Sequence, residues 1–258
     1  MKTNSWKTAI TDIDTNTIMI RGYRVEELIG NLSYPAVIYL LIKGELPEEN
    51  TARMLEAILV SSIDHGVTPP SSQAAITSAS SGAPLNAALA AGILTINEFH
   101  GGAIEKCMNS ILSAMFIKAR ESLPMTKAAE KTVAEIMARG AKLWGYGHRL
   151  HSKDPRSSRL LELAKQYGFS GDHVEMSRHL AEALSQKKGR PLPLNVDGAI
   201  AAILCEIGIS PEYANAFFIM ARVPGLVSHI IEEKQRHRPM RRIDFSAARY
   251  DGPQNRAL

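Results

Sequence analysis

Cysteine is nearly absent: the 258-residue chain holds two, Cys107 and Cys205. Each lies in an apolar helical pattern, and no CxxC pair or metal-ligand spacing occurs. A disulfide framework and a cysteine-based metal centre are thereby excluded, and the pattern fits reduced, buried thiols of a cytoplasmic protein. Charge of one sign is lacking too, since 30 basic residues face 26 acidic ones for a net +4. With aromatics at only 6%, this balance argues against a nucleic-acid binder. No uncharged apolar run approaches bilayer length, so no membrane span is expected. The start, Met-Lys-Thr-Asn-Ser-Trp-Lys, has no apolar stretch of the kind a secretory leader needs. Internal repeats and low-complexity linkers are missing as well. What the chain does have is 45% apolar residues and enough length for one domain, or two small ones, with a full core.

The apolar residues recur mostly with helical period. Residues 7–22 are the exception: Ala9 to Ile13 and Thr17 to Ile20 are rich in β-branched side chains, with Asp14-Thr15-Asn16 as turn chemistry between them, and a small hairpin is predicted there. From Tyr23 onward the pattern is helical. Ser33 is placed to cap a helix over 35–43 that Gly44 ends, and Pro47 to open another running to Ser61. Asp64-His65-Gly66 through Pro69-Pro70 breaks the chain. Residues 71–98 are rich in Ala, Ser and Gly, whose small side chains suit close helix packing in the centre or at a subunit contact. Further helices are predicted over about 103–120, 124–139, 155–167, 173–187, 196–207, 211–222 and 225–236. The expected fold is all-α with a short N-terminal β-hairpin.

The stretch from Gly145 to Arg156 reads Gly-Tyr-Gly-His-Arg-Leu-His-Ser-Lys-Asp-Pro-Arg. Two glycines allow a sharp turn, His148 can move protons near neutral pH, and Asp154-Pro155 is a helix start. Two readings fit: a basic turn capping a helix, or an anion site at a helix N-terminus. His100 sits in a second glycine-flanked break, and Asp197 falls in the first turn of its helix, where the dipole favours the carboxylate form. Each alone could be incidental, Asp197 as a mere capping charge. Together one carboxylate and two imidazoles suit proton abstraction beside a carbonyl. The carboxylate works at a C–H bond, one imidazole steadies the enolate oxygen, and the other exchanges a proton at a second oxygen. Arg156, Arg222 and Arg238 lie beside turns or helix ends, and such forks imply a di- or tricarboxylate. The basic run Lys234, Arg236, Arg238, Arg241, Arg242 is either a solvated helix end or a site for small anions. His148 and His151 are i, i+3, but in a loop with no matched carboxylate or cysteine set, so no metal is expected.

In order along the chain stand Ile20-Arg21-Gly22-Tyr23 with Glu26-Glu27-Leu28, Leu40 to Pro47, Asp64-His65-Gly66, His100-Gly101-Gly102-Ala103, Gly145 to Arg156, Asn195-Val196-Asp197, and Ala221-Arg222 with Gly225 and His229. This ordered set resembles the citrate synthase superfamily. The resemblance implies a large helical domain, 1–103 plus 207–258, split around a smaller one, 104–206, whose closure would exclude water. It implies Asp197 as the base at the acetyl methyl of acetyl-CoA, His100 on the thioester oxygen, and His148 on the oxaloacetate side. His65, Arg156 and Arg222 would bind substrate carboxylates. Arg238, with Arg249 as the less favoured match, would serve the neighbouring subunit. Coenzyme A would lie along Gly145, Tyr146, Gly147 and Lys153. No tightly bound cofactor is implied, the thioester being substrate or product. The assembly implied is a homodimer or a dimer of dimers.

Ordinary members are longer before the first catalytic histidine, and their stretch from His148 to Arg156 is about one residue longer. Both departures resemble citryl-CoA lyase and the lyase-like end of ATP-citrate lyase. Cleavage of citryl-CoA to acetyl-CoA and oxaloacetate is therefore the first expectation. A citrate or 2-methylcitrate synthase is the second. A silent subunit scaffolding a citryl-CoA synthetase is the third, and retention of His100, His148 and Asp197 argues against it.

Overall fold

The computed structural model describes residues 6–147 and 154–242. Three short strands come first: β1 (Thr11–Asp14), β2 (Thr17–Ile20) and β3 (Tyr23–Arg24), antiparallel in that order. The predicted hairpin is there, with Asp14 opposite Thr17, but Tyr23 continues the sheet rather than opening a helix. The reason is the turn at Arg21-Gly22, where both residues have positive φ (49° and 88°) and fold Tyr23 back on Ile20. Arg21 holds this unusual conformation with its guanidinium donating to the Leu41 and Ala9 carbonyls.

Eleven helices follow among the described residues: α1 (Val25–Leu28), α2 (Tyr34–Lys43), α3 (Glu49–Ser61), α4 (Pro70–Ser80), α5 (Leu85–Ile93), α6 (Ala103–Glu121), α7 (Met125–Ala138), α8 (Pro155–Tyr167), α9 (Asp172–Lys188), α10 (Val196–Ile207) and α11 (Ala214–Arg236). The all-α expectation holds. Ser33 precedes α2 as predicted, yet its side chain makes no capping bond.

Two compact units are formed. The first is Met1–Ile63 with Gly101–Arg222, and the expected smaller domain, 104–206, lies within it. Its centre is α10, whose sequence is apolar on every side, so it is buried on every side. It packs against α6, α8 and α9, while α7 lies on α6 and α9 and α3 on α8. Glu206 near the end of α10 accepts the backbone N–H groups of His173 and Val174 at 2.8 and 3.0 Å, capping the start of α9. Glu206→Ala orphans both donors and is expected to lower stability by about 1–2 kcal/mol, measured by urea unfolding. An unchanged midpoint would show that water replaces the cap at no cost.

The second unit is Asp64–His100 with Val223–Leu258. The small-residue stretch forms α4 and α5, which pair closely: Ala75, Ala79 and Ala88 pack with Leu226 and Ile230 of α11. A break at Pro224 was expected, yet α11 runs through it. Proline there lacks the N–H that would reach the Met220 carbonyl and its ring crowds that carbonyl, and burial of Leu226 and Ile230 outweighs that cost. Pro211–Arg236 is long and apolar enough by length and composition to cross a membrane. Its Phe217, Leu226 and Ile230 are nonetheless fully buried, as in a core helix.

Candidate active site

In the first unit two loops are zipped together. Asn195 N–H donates to Gly145 O at 3.0 Å, Gly147 N–H to Pro193 O at 2.8 Å, and Asn195 Nδ2 to Gly147 O at 2.9 Å. Asn195 also caps α10, its Oδ1 accepting the Gly198 N–H. The approach leaves no room for side chains at two positions. A Cβ on Gly145 would lie 2.7 Å from Cys107 Sγ, and one on Gly198 would lie 2.3 Å from Gly145 O. Tyr146 is buried beneath and donates to the Ser177 carbonyl at 3.2 Å.

Asp154 ties this assembly to α8. As predicted it caps that helix, Oδ1 accepting Arg156 N–H at 3.0 Å. Its carboxylate also receives the Arg156 fork, Nε at 3.1 Å and Nη2 at 2.9 Å, and the Val196 N–H at 3.2 Å. One buried carboxylate thus joins the starts of α8 and α10 and fixes Arg156 beside Asp197. Burial alone would raise the Asp154 carboxyl, but the Arg156 fork and the two backbone N–H groups hold it below the ordinary range.

Asp197 goes the other way. Burial pushes its carboxyl up to about 6, Asp154 adds to the rise, and Arg156, Arg222 and Lys142 only partly offset it. Desolvation outweighs the helix dipole and lifts the carboxyl above the ordinary aspartate range, though at about 6 it is still mostly the carboxylate at pH 7. Arg222 is buried, donating Nε–H to Ser62 O at 3.0 Å with its guanidinium 4.9 Å from the Phe218 ring centre. Arg156 and Arg222, separate in sequence, are thus both within electrostatic reach of Asp197.

A cavity of about 690 Å³ opens in the same unit, the size of an ordinary ligand site. Tyr146 and Gly147 line it; Gly145 is absent from its lining. Lys142, Lys188 and Arg190 supply cations, and Leu143, Leu184 and Leu192 an apolar wall. Those three cations were missed. In sequence Lys187-Lys188-Gly189-Arg190 reads as the ordinary basic end of a helix, and Lys142 is far away along the chain. His148 and Lys153 lie outside the described residues, as does Arg249.

In the second unit His100 follows α5 at a one-residue bridge to Asn97, and its Nε2 is 2.8 Å from the Oγ of Ser71, a fully buried residue in the first turn of α4. Asp64-His65-Gly66 forms a tight turn: Asp64 Oδ2 accepts the Gly66 N–H at 2.9 Å. Oδ1 of the same residue lies 2.9 Å from His229 Nε2. Arg238 lines a smaller cavity of about 280 Å³ with Ser80, Glu233, Lys234 and His237. The candidate residues therefore fall in two groups, Asp197, Arg156 and Arg222 in one unit, and His65, His100 and Arg238 in the other.

A family model described as "Citrate synthase, C-terminal domain" matches residues 1–53 and 47–243. The chain is 30% identical to a citrate/2-methylcitrate synthase of Bacillus subtilis over 229 residues, covering 86% of this chain and 58% of that protein. It spans about half the length of the curated relatives it matches. Among solved structures, a citryl-CoA lyase from Hydrogenobacter thermophilus superposes with TM-score 0.88 at 43% identity, covering 98% of this chain and 97% of that one. ATP citrate lyase of Methanothrix soehngenii, solved with citrate and coenzyme A, shares the fold with TM-score 0.85 at 24% identity, covering 98% of this chain and 42% of that one.

Proposed function

The chain belongs to the citrate synthase family, and from that premise we propose that it is a citryl-CoA lyase, cleaving citryl-CoA to acetyl-CoA and oxaloacetate. The observation that carries the reading is the likeness to the Hydrogenobacter lyase, which takes in nearly the whole of both chains.

In this mechanism His148 takes the proton of the tertiary hydroxyl. The C–C bond breaks, its electron pair passing to the thioester side as the enolate of acetyl-CoA, and the hydroxyl carbon becomes the keto carbon of oxaloacetate. His100 donates a hydrogen bond to the enolate oxygen, and it does so from Nδ1 in the tautomer whose Nε2 accepts from the Ser71 hydroxyl 2.8 Å away. Protonated Asp197 then delivers its proton to the methylene carbon, completing the methyl group. The raised pKa supports this role. With the carboxyl at about 6, about one molecule in ten carries the proton at pH 7, against fewer than about one in a thousand for an ordinary aspartate. His65, Arg156 and Arg222 bind the substrate carboxylates. Arg238 serves the neighbouring subunit of a homodimer or a dimer of dimers.

Coenzyme A is assigned to the 690 Å³ cavity, its phosphates to Lys142, Lys188 and Arg190 and its apolar parts to the leucine wall. Removing both outer cations in Lys188→Ala/Arg190→Ala is expected to raise KM for the CoA thioester about tenfold or more while leaving kcat nearly intact, since each pairs with phosphate in ground and transition state alike. A fall in kcat with KM unchanged would move the phosphates elsewhere.

The test of the function is incubation with citryl-CoA and identification of the products. Acetyl-CoA and oxaloacetate are expected. Chiefly citrate and free CoA would instead favour the second reading, a citrate or 2-methylcitrate synthase, which the Bacillus relative supports.

A further inference from the structure

The turn at Asp64-His65-Gly66 is closed by its own first side chain. Asp64 Oδ2 accepts the Gly66 N–H at 2.9 Å, so the carboxylate loops around His65 and leaves it at the tip. Gly66 has a φ of +73°, which this closure requires and which glycine adopts without strain. The second oxygen reaches a residue 165 positions later: Asp64 Oδ1 accepts from His229 Nε2 at 2.9 Å, and the His229 side chain is only 14% exposed. Just beyond, Gln73 Nε2 donates to Thr68 O at 2.7 Å and steadies the run into α4. Neither Asp64 nor His229 has a role in the reaction as described. Both are polar, and the hydrogen bond between them is charge-assisted and so directional enough to hold the turn in one orientation.

We propose that Asp64 and His229 are a positioning pair for His65, fixing the imidazole that binds a substrate carboxylate; the assignment rests on the function proposed above. His229 sets the direction of the Asp64 carboxylate, Asp64 sets the turn, and the turn sets where the His65 ring is presented. The cost of losing the pair falls on binding: a His65 displaced by an ångström loses its carboxylate partner in ground and transition state together. Glutamine can place its amide Nε2 where His229 Nε2 stands, so a hydrogen-bond donor there should suffice.

The experiment is a double-mutant cycle read on citryl-CoA cleavage, with oxaloacetate affinity by calorimetry and a thermal melt for each variant. His229→Ala is expected to raise KM and the oxaloacetate Kd about tenfold with kcat within about threefold of wild type. His229→Gln is expected to restore both. His65→Ala/His229→Ala is expected to match His65→Ala alone, because a positioning residue has nothing left to position. Asp64→Asn, measured in the same way, stands in if His229→Ala does not fold. An unchanged KM in a folded His229→Ala, no rescue by glutamine, or fully additive losses in the double variant would overturn the pairing while leaving the lyase reading intact. Wild-type protein that neither cleaves citryl-CoA nor binds oxaloacetate would overturn that reading and this assignment with it.

Discussion

Asp197→Asn is expected to cut citryl-CoA cleavage by at least about a thousandfold while making the folded protein more stable at pH 8. The two effects have one cause. The Asp197 carboxyl stands at about 6 in the folded chain against an unfolded value of 3.8, because it is buried and lies near Asp154. A raised carboxylate pKa means the folded state holds the proton more tightly than the unfolded one. Stability therefore falls as pH rises from about 4 to about 6, and the full cost remains above pH 6. Two pKa units correspond to about 3 kcal/mol, an upper figure for what Asn, a neutral mimic of the protonated acid, can recover. The melting temperature of the variant should exceed that of wild type by several degrees at pH 8, and the gap should vanish near pH 4. Paired melts at these two pH values check it. Equal melts at pH 8 would mean that Arg156, Arg222 and Lys142 compensate the buried charge in full. Retained turnover would remove Asp197 from the chemistry.

This prediction turns on something the sequence does not carry. Asp197 was legible as a first-turn carboxylate because Asn195 is a local cap signal, and α8 and α10 begin where predicted for the same reason: Asp154 and Asn195 bond to backbone N–H groups two and three residues ahead. The desolvation that sets its pKa comes from helices distant in sequence, and no local pattern encodes it. Pro224 teaches the converse. Its local signal is a helix end, and it loses to the burial of Leu226 and Ile230 in a cluster whose other members lie some 140 residues earlier. Arg21 hid the third strand, since a positive φ is not expected of arginine and is secured by the carbonyls of Ala9 and of Leu41, the latter twenty residues on. Likewise Lys142, Lys188 and Arg190 become a set only when the loop after α7 meets the end of α9 and the loop that follows it. Arg156 and Arg222 were found as single cations beside helix ends. That both act on Asp197 had to await the fold.

The second large effect is expected from the smallest change, Gly198→Ala. An alanine methyl there would stand 2.3 Å from Gly145 O and 2.9 Å from Leu194 Cγ. Leu194 can turn aside, but a backbone oxygen cannot. The clash must therefore be relieved by separating residues 145–147 from α10. That breaks the bonds of Asn195 N–H to Gly145 O and of Asn195 Nδ2 to Gly147 O. Overpacking of this kind costs about 1–3 kcal/mol and more where the obstacle is main chain. The functional loss should be larger, because Tyr146 and Gly147 line the cavity assigned to coenzyme A and the next residue is His148. A shift of an ångström in such a loop costs about a hundredfold in rate. Cys107→Ala in the same background should not restore activity, since the methyl strikes the Gly145 oxygen and not the sulfur. Gly198→Ala with wild-type KM, kcat and melting temperature would show that the two loops are free to part, and with them the zipped arrangement on which the site depends.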